Sequence, residues 1–376
     1  MFGPVGGVPF GERGGRGRGV LDMVAGRYPL FLLGGPVGGL LPVFHFHQVT
    51  REQLEPKLQY LAENGYRTVT STAITRLVRD GAAPPERSVV LGFDDAWSSL
   101  WTVAGPLLRQ YGMRAVTYAI PARIREAPGV RPTIEEGLRD PATLDAAVDP
   151  LVTWPELKQL HREGTFDVQS HSLTHSMLFA APAIVGFVSP DFERESFLDR
   201  PRLDRDGPLR FLSPAVLGVP LYPRRSRMSD AVRFFPDPEQ SARCVTYVAD
   251  HGGRGFFQHP AWRDELRRVA GEPRGSSEEP AARDAAIEEE LRGGREQLEA
   301  ALPGHHVDHI CLPWGVAGDV TWRRLERCGY RTAFANRFRG RFAVAAGDPP
   351  YSLKRLSNRF IKALPGRGRR FFVFAR

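Results

Sequence analysis

Residues 89–95 read Val-Val-Leu-Gly-Phe-Asp-Asp, a short apolar run that stops at two adjacent carboxylates. Its β-branched members and the absence of a polar interruption predict a strand that is buried on both faces, as in parallel sheets. Ligands gather at the carboxyl ends of such strands, so Asp94 and Asp95 are candidate functional residues. The alternative is that one of them caps a helix starting near Ser98, for which a single Asp would be enough.

Two histidines follow a second predicted strand, residues 166–169. His171 and His175 are spaced i and i+4, which predicts one face of a helical turn and side chains close enough to share a divalent ion. Neutral imidazole combined with carboxylate suits zinc or a similar borderline cation. Three protein ligands that leave one position open are typical of a catalytic site rather than a structural one.

Glycines separate predicted helices from predicted strands along the chain. Gly65, Gly112, Gly164 and Gly329 each end a predicted helix just before a strand-like run. This alternation predicts an α/β fold in which parallel strands are joined by right-handed crossovers. The pattern alone does not decide whether the sheet closes into a barrel.

The carboxylate and histidine motifs together resemble those of the polysaccharide deacetylases, the NodB-homology carbohydrate esterases of family 4. Residues 93–95 match the first motif of that family, and residues 171–175 match the second, His-Ser-x-x-His. Three further stretches are similar to an early strand, to the helix before the second motif and to the end of the third motif. These stretches are residues 46–49, 151–157 and 313–315.

The resemblance, which covers about residues 41–178 and 285–340, implies a fold. That fold is an α/β, distorted (β/α)7-type barrel of the NodB-homology kind, with its groove at the carboxyl ends of about seven strands. A large insertion follows the His-x-x-x-His motif at about residues 179–280, without clear secondary-structure elements. We interpret it as a lid or as part of a substrate groove, with species-specific decoration as the alternative. We therefore expect one catalytic domain, residues 41–376, that contains this insertion.

The resemblance also implies roles for the site residues. Asp95, His171 and His175 would hold one divalent metal ion, expected to be Zn²⁺, with Co²⁺, Ni²⁺ and Mn²⁺ left open. Asp94 would act as general base for a metal-bound water that attacks the amide carbonyl of an N-acetyl group. The backbone N–H of Trp314 would stabilise the developing oxyanion, and the products would be acetate and a free amine.

Two departures from the family pattern affect this site. Cys311 stands where the third motif has an Arg that orients the base, so we expect the pKa of Asp94 to be raised and its position to be loose. The late motif that supplies a His as general acid has no match, because residues 351–356 contain no His. His47, on the first predicted strand, is the candidate to replace it.

The amino-acid composition limits which binding partners and which cellular compartment we expect. The formal net charge of the 376 residues is +8, but the basic residues are almost all Arg, which is typical of a high-GC bacterial genome. We therefore do not expect nucleic-acid binding. Residues 1–40 are rich in Gly, so we expect a flexible segment without a stable membrane span. We expect a cytoplasmic protein and leave open export or cell-surface association through an atypical N-terminus.

Three functions remain open from the sequence. The first, which we expect, is a metal-dependent N-deacetylase that acts on a polysaccharide or oligosaccharide containing N-acetylhexosamine. The second is a hydrolase of C–N bonds in a small amide or a cyclic imide. The third is a catalytically weakened carbohydrate-binding homologue, which the missing Arg and His favour. The sugar, its linkage and the oligomeric state are not predicted.

Overall fold

The computed structural model describes residues 27–137, 150–336 and 341–371. Most of the predicted flexible segment, residues 1–26, lies outside the described residues. The chain divides into two compact units. We call His175–Ile287 with Gly318–Thr321 the insertion unit, and the other described residues the barrel unit. The predicted insertion falls within the insertion unit, and the boundaries of a catalytic domain stay a prediction.

Strands and helices alternate in the barrel unit, as the glycine pattern predicts. Its strands are β1 (Val43–Phe46), β2 (Arg67–Thr68), β3 (Ser88–Asp94), β4 (Ala115–Ala119), β5 (Phe166–Ser170), β12 (His309–Cys311), β13 (Thr332–Phe334) and β14 (Leu356–Ser357). The helices between β1 and β5 are α1 (Arg51–Glu63), α2 (Ser71–Asp80), α3 (Gly105–Gln110) and α4 (Trp154–Arg162). In chain order, α7 (Pro280–Ala301) precedes β12 and α8 (Asp319–Arg324) precedes β13.

The sheet of the barrel unit is parallel throughout and has the order β13-β12-β5-β4-β3-β1-β14. The short strand β2 pairs with the first two residues of β3 and lies off this path. An isolated parallel bridge joins Phe334, at the end of β13, to Leu353, three residues before β14. The two ends of the sheet therefore meet, and the predicted distorted barrel with about seven strands is confirmed.

Local sequence signals explain where the helices start and stop. Thr50 and Gln53 form the capping box at the start of α1, and Thr153 and Glu156 form the one at the start of α4. All seven residues of β3 are buried, as their apolar pattern predicts. The helix after β3 does not start on Asp94 or Asp95: a π-helical turn, Leu100–Ala104, leads into α3. The capping alternative for the two carboxylates is therefore wrong.

The insertion unit has more regular structure than its sequence suggests. Its strands are β6 (Met177–Phe179), β7 (Gly186–Phe187), β8 (Pro220–Leu221), β9 (Arg224–Ser226), β10 (Phe234–Pro236) and β11 (Gly275–Ser277), and its helices are α5 (Pro238–Asp250) and α6 (Trp262–Ala270). The antiparallel pairs are β6 with β9, β7 with β8, and β10 with β11. The expectation of no clear elements is wrong, because strands of two or three residues are too short to show a period.

Two apolar clusters hold the insertion unit together. One is built around Phe179, Tyr222 and Phe234, and the other packs α5 against α6 through residues such as Val248 and Leu266. A unit with its own buried clusters is an ordered body rather than a long loop. Within the described parts of the chain, no helix is both long and apolar enough to cross a membrane.

Candidate active site

The carboxyl ends of neighbouring parallel strands carry the predicted site residues. Asp94 is the last residue of β3, and Asp95 follows it directly. His47 follows β1 and His171 follows β5, each by one residue. Trp314 lies three residues after β12. Because all these strands run in the same direction, the residues that follow them gather at one edge of the sheet.

The Asp94 carboxylate is held by Arg355. The guanidinium donates two parallel hydrogen bonds, from Nη1 to Oδ1 at 2.6 Å and from Nη2 to Oδ2 at 2.7 Å. Only 3% of Asp94 is exposed. Burial by itself would raise the pKa of Asp94, but the charge and hydrogen bonds of Arg355 outweigh burial and hold this pKa well below its usual range. The expectation of a loose Asp94 with a raised pKa is therefore wrong.

The position of Arg355 follows from strand pairing. Leu356, the next residue, is the first of β14 and pairs with Phe44 of β1, while β1 also pairs with β3 along its whole length. Arg355 thus enters the site from the strand on the far side of β1. Its guanidinium carbon lies 5.1 Å from the ring centroid of Phe334 and 5.6 Å from that of Tyr118. These rings confine the side chain in a fixed orientation.

Asp95, His171 and His175 form a group that could hold a metal ion, because their ligand atoms lie within 4.8 Å of one another. His171 Nδ1 lies 2.5 Å from the carbonyl oxygen of Cys311, which can only accept, so Nδ1 donates. His171 Nε2 then faces Asp95 Oδ1 at 3.3 Å. Either a proton on Nε2 or a metal ion bound to both atoms satisfies this pair. The arrangement fits a metal ligand whose tautomer is fixed by a backbone carbonyl.

The surroundings of these two ligands favour positive charge. Trp97 Nε1 donates to Asp95 Oδ2 at 3.0 Å, which fixes the carboxylate and leaves its other oxygen facing His171. Burial lowers the pKa of His171, but the side chains of Cys311 and Asp95 raise it well above its usual value. The negative groups that raise this pKa would also favour the binding of a divalent cation.

The His171–His175 segment is a loop, not the helical turn that its spacing predicts. Its backbone bonds to other parts of the chain instead of to itself: the N–H groups of Leu173 and Thr174 donate to the carbonyl and side chain of Glu290, each at 2.9 Å. Gly294 permits this approach of α7, because a Cβ there would lie 2.8 Å from Leu173 N. The helix expectation fails because these tertiary bonds replace the i to i+4 bonds.

Backbone strain concentrates at the same strand ends. Five non-glycine residues in these loops have a positive φ: Asp95 (70°), Ala96 (55°), Ser172 (65°), His175 (52°) and Trp314 (54°). Such conformations cost about 1–3 kcal/mol each and persist where the surrounding structure enforces them. Their clustering is the pattern that functional sites commonly show.

Residues 81–199, which contain the carboxylate and histidine motifs, match the family model described as polysaccharide deacetylase. This part of the chain is similar to the polysaccharide deacetylases. The matched stretch begins just before β3 and ends inside the insertion unit. It therefore includes Asp94, Asp95, His171 and His175, but neither His47 nor Arg355.

The curated relatives match only part of the chain. Bacillus subtilis (strain 168) YxkH, named as a polysaccharide deacetylase, is 27% identical over 88 residues, 21% of this chain and 32% of that protein. The poly-beta-1,6-N-acetyl-D-glucosamine N-deacetylase of Escherichia coli (strain K12) is 24% identical over 159 residues, 42% of this chain and 23% of that protein. This chain therefore spans less than a third of each relative's length.

Solved deacetylase structures share low sequence identity with this chain. The BpsB deacetylase domain from Bordetella bronchiseptica has a TM-score of 0.49 and 15% identity, and the match covers 86% of this chain and 97% of that one. IcaB from Ammonifex degensii has a TM-score of 0.46 and 16% identity, covering 85% and 92%.

His47 and Trp314 are the remaining predicted site residues at these strand ends. His47 Nε2 lies 3.6 Å from Asp94 Oδ2, and 55% of the His47 side chain is exposed, so a ligand can reach it. His45, two residues earlier, differs: burial first, and then Arg355, lower its pKa to about 4. Trp314 and Gly315 both have positive φ, and a Cβ on Gly315 would lie 2.4 Å from Asn336 Nδ2. The turn that carries the Trp314 N–H is thus tightly constrained.

Sequence reasoning does not identify three residues of the candidate site. Arg355 lies 261 positions after Asp94, too far along the chain for a local pattern to link the two residues. Trp97 donates its indole N–H to Asp95, a contact that the sequence alone does not indicate. Glu290 reads as an ordinary helix residue. The adjacent Gly293 and Gly294 inside α7 were an available signal, since interior helix glycines mark close packing.

Proposed function

We propose that this chain is a divalent-metal-dependent N-deacetylase that acts on a polysaccharide of N-acetylhexosamine. The observation that supports this most strongly is the side-by-side arrangement of two carboxylates with different partners. Asp94 is locked by Arg355, whereas the neighbouring Asp95 faces His171 Nε2 at 3.3 Å. One carboxylate is thereby suited to accept a proton and the other to bind a cation, which is the division of roles that hydrolysis needs.

Asp95, His171 and His175 would hold the ion. Their acceptor atoms converge, and the Nδ1 donation to Cys311 leaves Nε2 of His171 available as a ligand. When bound, a divalent ion would acidify a water and polarise the amide carbonyl. One carboxylate with two imidazoles suits zinc, and cobalt, nickel or manganese would fit the same ligands.

Asp94 would act as the general base. Arg355 keeps it ionised at neutral pH, so it has lone pairs that can accept the proton of the attacking water, but the lowered pKa makes it a weaker base than a free carboxylate. A carboxylate fixed through both oxygens also loses little freedom when the substrate binds. Arg355 contacts the base and not the substrate in this proposal, so it is a positioning residue.

His47 and Trp314 would act on the substrate amide rather than on the attacking water. The Trp314 N–H would donate to the oxygen that becomes negative when water adds to the carbonyl. His47, exposed and near Asp94, would donate a proton to the leaving nitrogen as the C–N bond breaks. The water oxygen ends in acetate, and the sugar is released as a free amine, so the overall reaction is hydrolysis of one amide.

The polysaccharide substrate is inferred from the family match and from the Escherichia coli relative, whose name specifies poly-beta-1,6-N-acetyl-D-glucosamine. A small amide or a cyclic imide is the competing substrate class. Acetate release can separate these classes, using zinc-loaded protein with N-acetylglucosamine oligomers of one to six units and with succinimide as the imide. We expect acetate from the oligomers, at a rate that rises with length. Succinimide hydrolysis without acetate from any oligomer would contradict the proposal.

A further inference from the structure

The insertion unit contains a cavity of about 930 Å³ whose walls are rich in arginine. Five arginines line it: Arg202, Arg205, Arg210, Arg233 and Arg274. The only carboxylate among the described residues that line it is Asp237, and this side chain already caps α5 by accepting from the N–H of Glu239 at 3.0 Å. The volume is in the range that binds small molecules.

Carboxylates close to the cavity are already paired. Asp204 accepts from Arg202 at 2.7 Å and also from the backbone N–H of Arg210 at 2.8 Å. Glu278 accepts from the two terminal nitrogens of Arg227, at 2.6 and 3.0 Å. Arg202 is thus neutralised locally. In the described ranges, no carboxylate forms an ion pair with the other four lining arginines.

Arg233 is the buried member of this set, with 6% of its surface exposed. Its side chain donates to the carbonyl of Arg202 at 2.8 Å, which satisfies a hydrogen bond but supplies no negative charge. Burial, followed by the charge of Arg202, lowers the pKa of Arg233 to about 10. Asp204 and Glu278 favour the charged form of Arg233 through space but do not outweigh its burial, and an anion entering the cavity would relieve the remaining cost.

Aromatic rings stand beside the arginines. The guanidinium carbons of Arg205 and Arg233 lie 4.2 and 4.6 Å from the ring centroid of Phe235. Arg205 also donates to the hydroxyl of Ser276 at 2.8 Å, which holds it at the cavity. Guanidinium groups fixed against a ring present their remaining N–H donors as a fork, the geometry that carboxylate and phosphate groups accept.

We propose that this cavity binds a small, ring-containing molecule that carries at least two anionic groups, either phosphate or carboxylate. Four arginines without carboxylate partners match two or more negative groups, and the apolar side chains of Phe211, Leu212 and Val216 in the cavity wall match a flat or ring-shaped body. The proposal concerns the insertion unit alone and does not depend on the proposed function.

Calorimetric titration of the zinc-loaded full chain tests this site. The probes are uridine diphosphate, which carries phosphates on a ring-containing body, digalacturonate, which carries carboxylates, inorganic pyrophosphate without a ring, and uridine without charge. We expect uridine diphosphate or digalacturonate to bind more tightly than both pyrophosphate and uridine. The one that binds identifies the source of the anionic groups. Binding should persist in His171→Ala, which removes a proposed metal ligand.

Variants localise the binding to the cavity. Arg205→Gln and Arg233→Met should each weaken it by about tenfold or more, since each removes a charge-assisted hydrogen-bond donor. Arg243→Gln is the matched control, because Arg243 is an exposed arginine of α5 that does not line the cavity. If Arg233→Met does not fold, Arg210→Gln at the exposed rim replaces it.

Three results would overturn the proposal. The first is that no anionic probe binds more tightly than uridine. The second is that pyrophosphate binds as tightly as the ring-containing probes, because the rings would then contribute nothing. The third is that Arg243→Gln weakens binding as much as Arg205→Gln does.

Discussion

Asp94→Asn is expected to lower acetate release from N-acetylglucosamine oligomers by about 10²–10⁴-fold, the usual contribution of a general base. The amide has nearly the same shape as the carboxylate but cannot accept the proton of the attacking water. Asp94 is not among the proposed metal ligands, so zinc binding should survive. Initial rates and the zinc content of the purified variant check both parts of this prediction.

The Asn variant also removes the ionised partner of Arg355. Arg355 and Asp94 side chains are 14% and 5% exposed, so their pairing is largely buried and the melting temperature should fall. Rates must therefore be measured well below that temperature. Asp80→Asn is the matched control, because Asp80 is an exposed residue at the end of α2, and it should change neither rate nor melting. An Asp94→Asn variant that keeps more than a tenth of the activity would show that another group is the base.

Arg355→Gln is expected to affect stability and catalysis together. Breaking one side of a buried ion pair leaves the Asp94 charge uncompensated, which typically lowers the free energy of unfolding by about 3–5 kcal/mol. Loss of the two hydrogen bonds also frees the base to move, and displacement of a catalytic group by about 1 Å can lower kcat by about 10²-fold. Denaturant unfolding and steady-state kinetics measure the two effects separately.

The kinetic pattern distinguishes positioning from simple structural support. Because Arg355 does not contact the substrate in this account, kcat should fall while KM changes little. Arg355→Lys keeps the charge but loses the fork, so it should recover part of kcat. Arg359→Gln is the control: Arg359 is exposed, and its guanidinium carbon lies 4.7 Å from the ring centroid of Phe360. Equal losses in Arg359→Gln and Arg355→Gln would contradict the assigned role.

The sequence predicts the barrel unit well because its signals are local. The apolar run that ends at Asp94 and the glycine at each helix end are readable within a few residues. Parallel strands then bring the residues after β3 and β5 to one edge, so the approximate site follows from topology. The family motifs add the roles that spacing alone cannot assign.

Other parts of the site depend on contacts that no local pattern carries. Arg355 reaches Asp94 only because β14 pairs with β1, so its role requires the complete strand order. The His171–His175 spacing suggests a helix, but Glu290 and Gly294 on α7 draw the loop into another conformation. The cavity arginines are spread over residues 202–274, and they converge only after the insertion unit folds.

Metal dependence is the central claim, and removal and return of the ion test it most directly. The measurement is acetate release from N-acetylglucosamine oligomers by protein that has been stripped with a chelator and then titrated with zinc. We predict no release from the stripped protein, full recovery at one ion per chain, and no recovery in His171→Ala at the same zinc concentration. Undiminished release from protein shown to be free of metal would contradict the account.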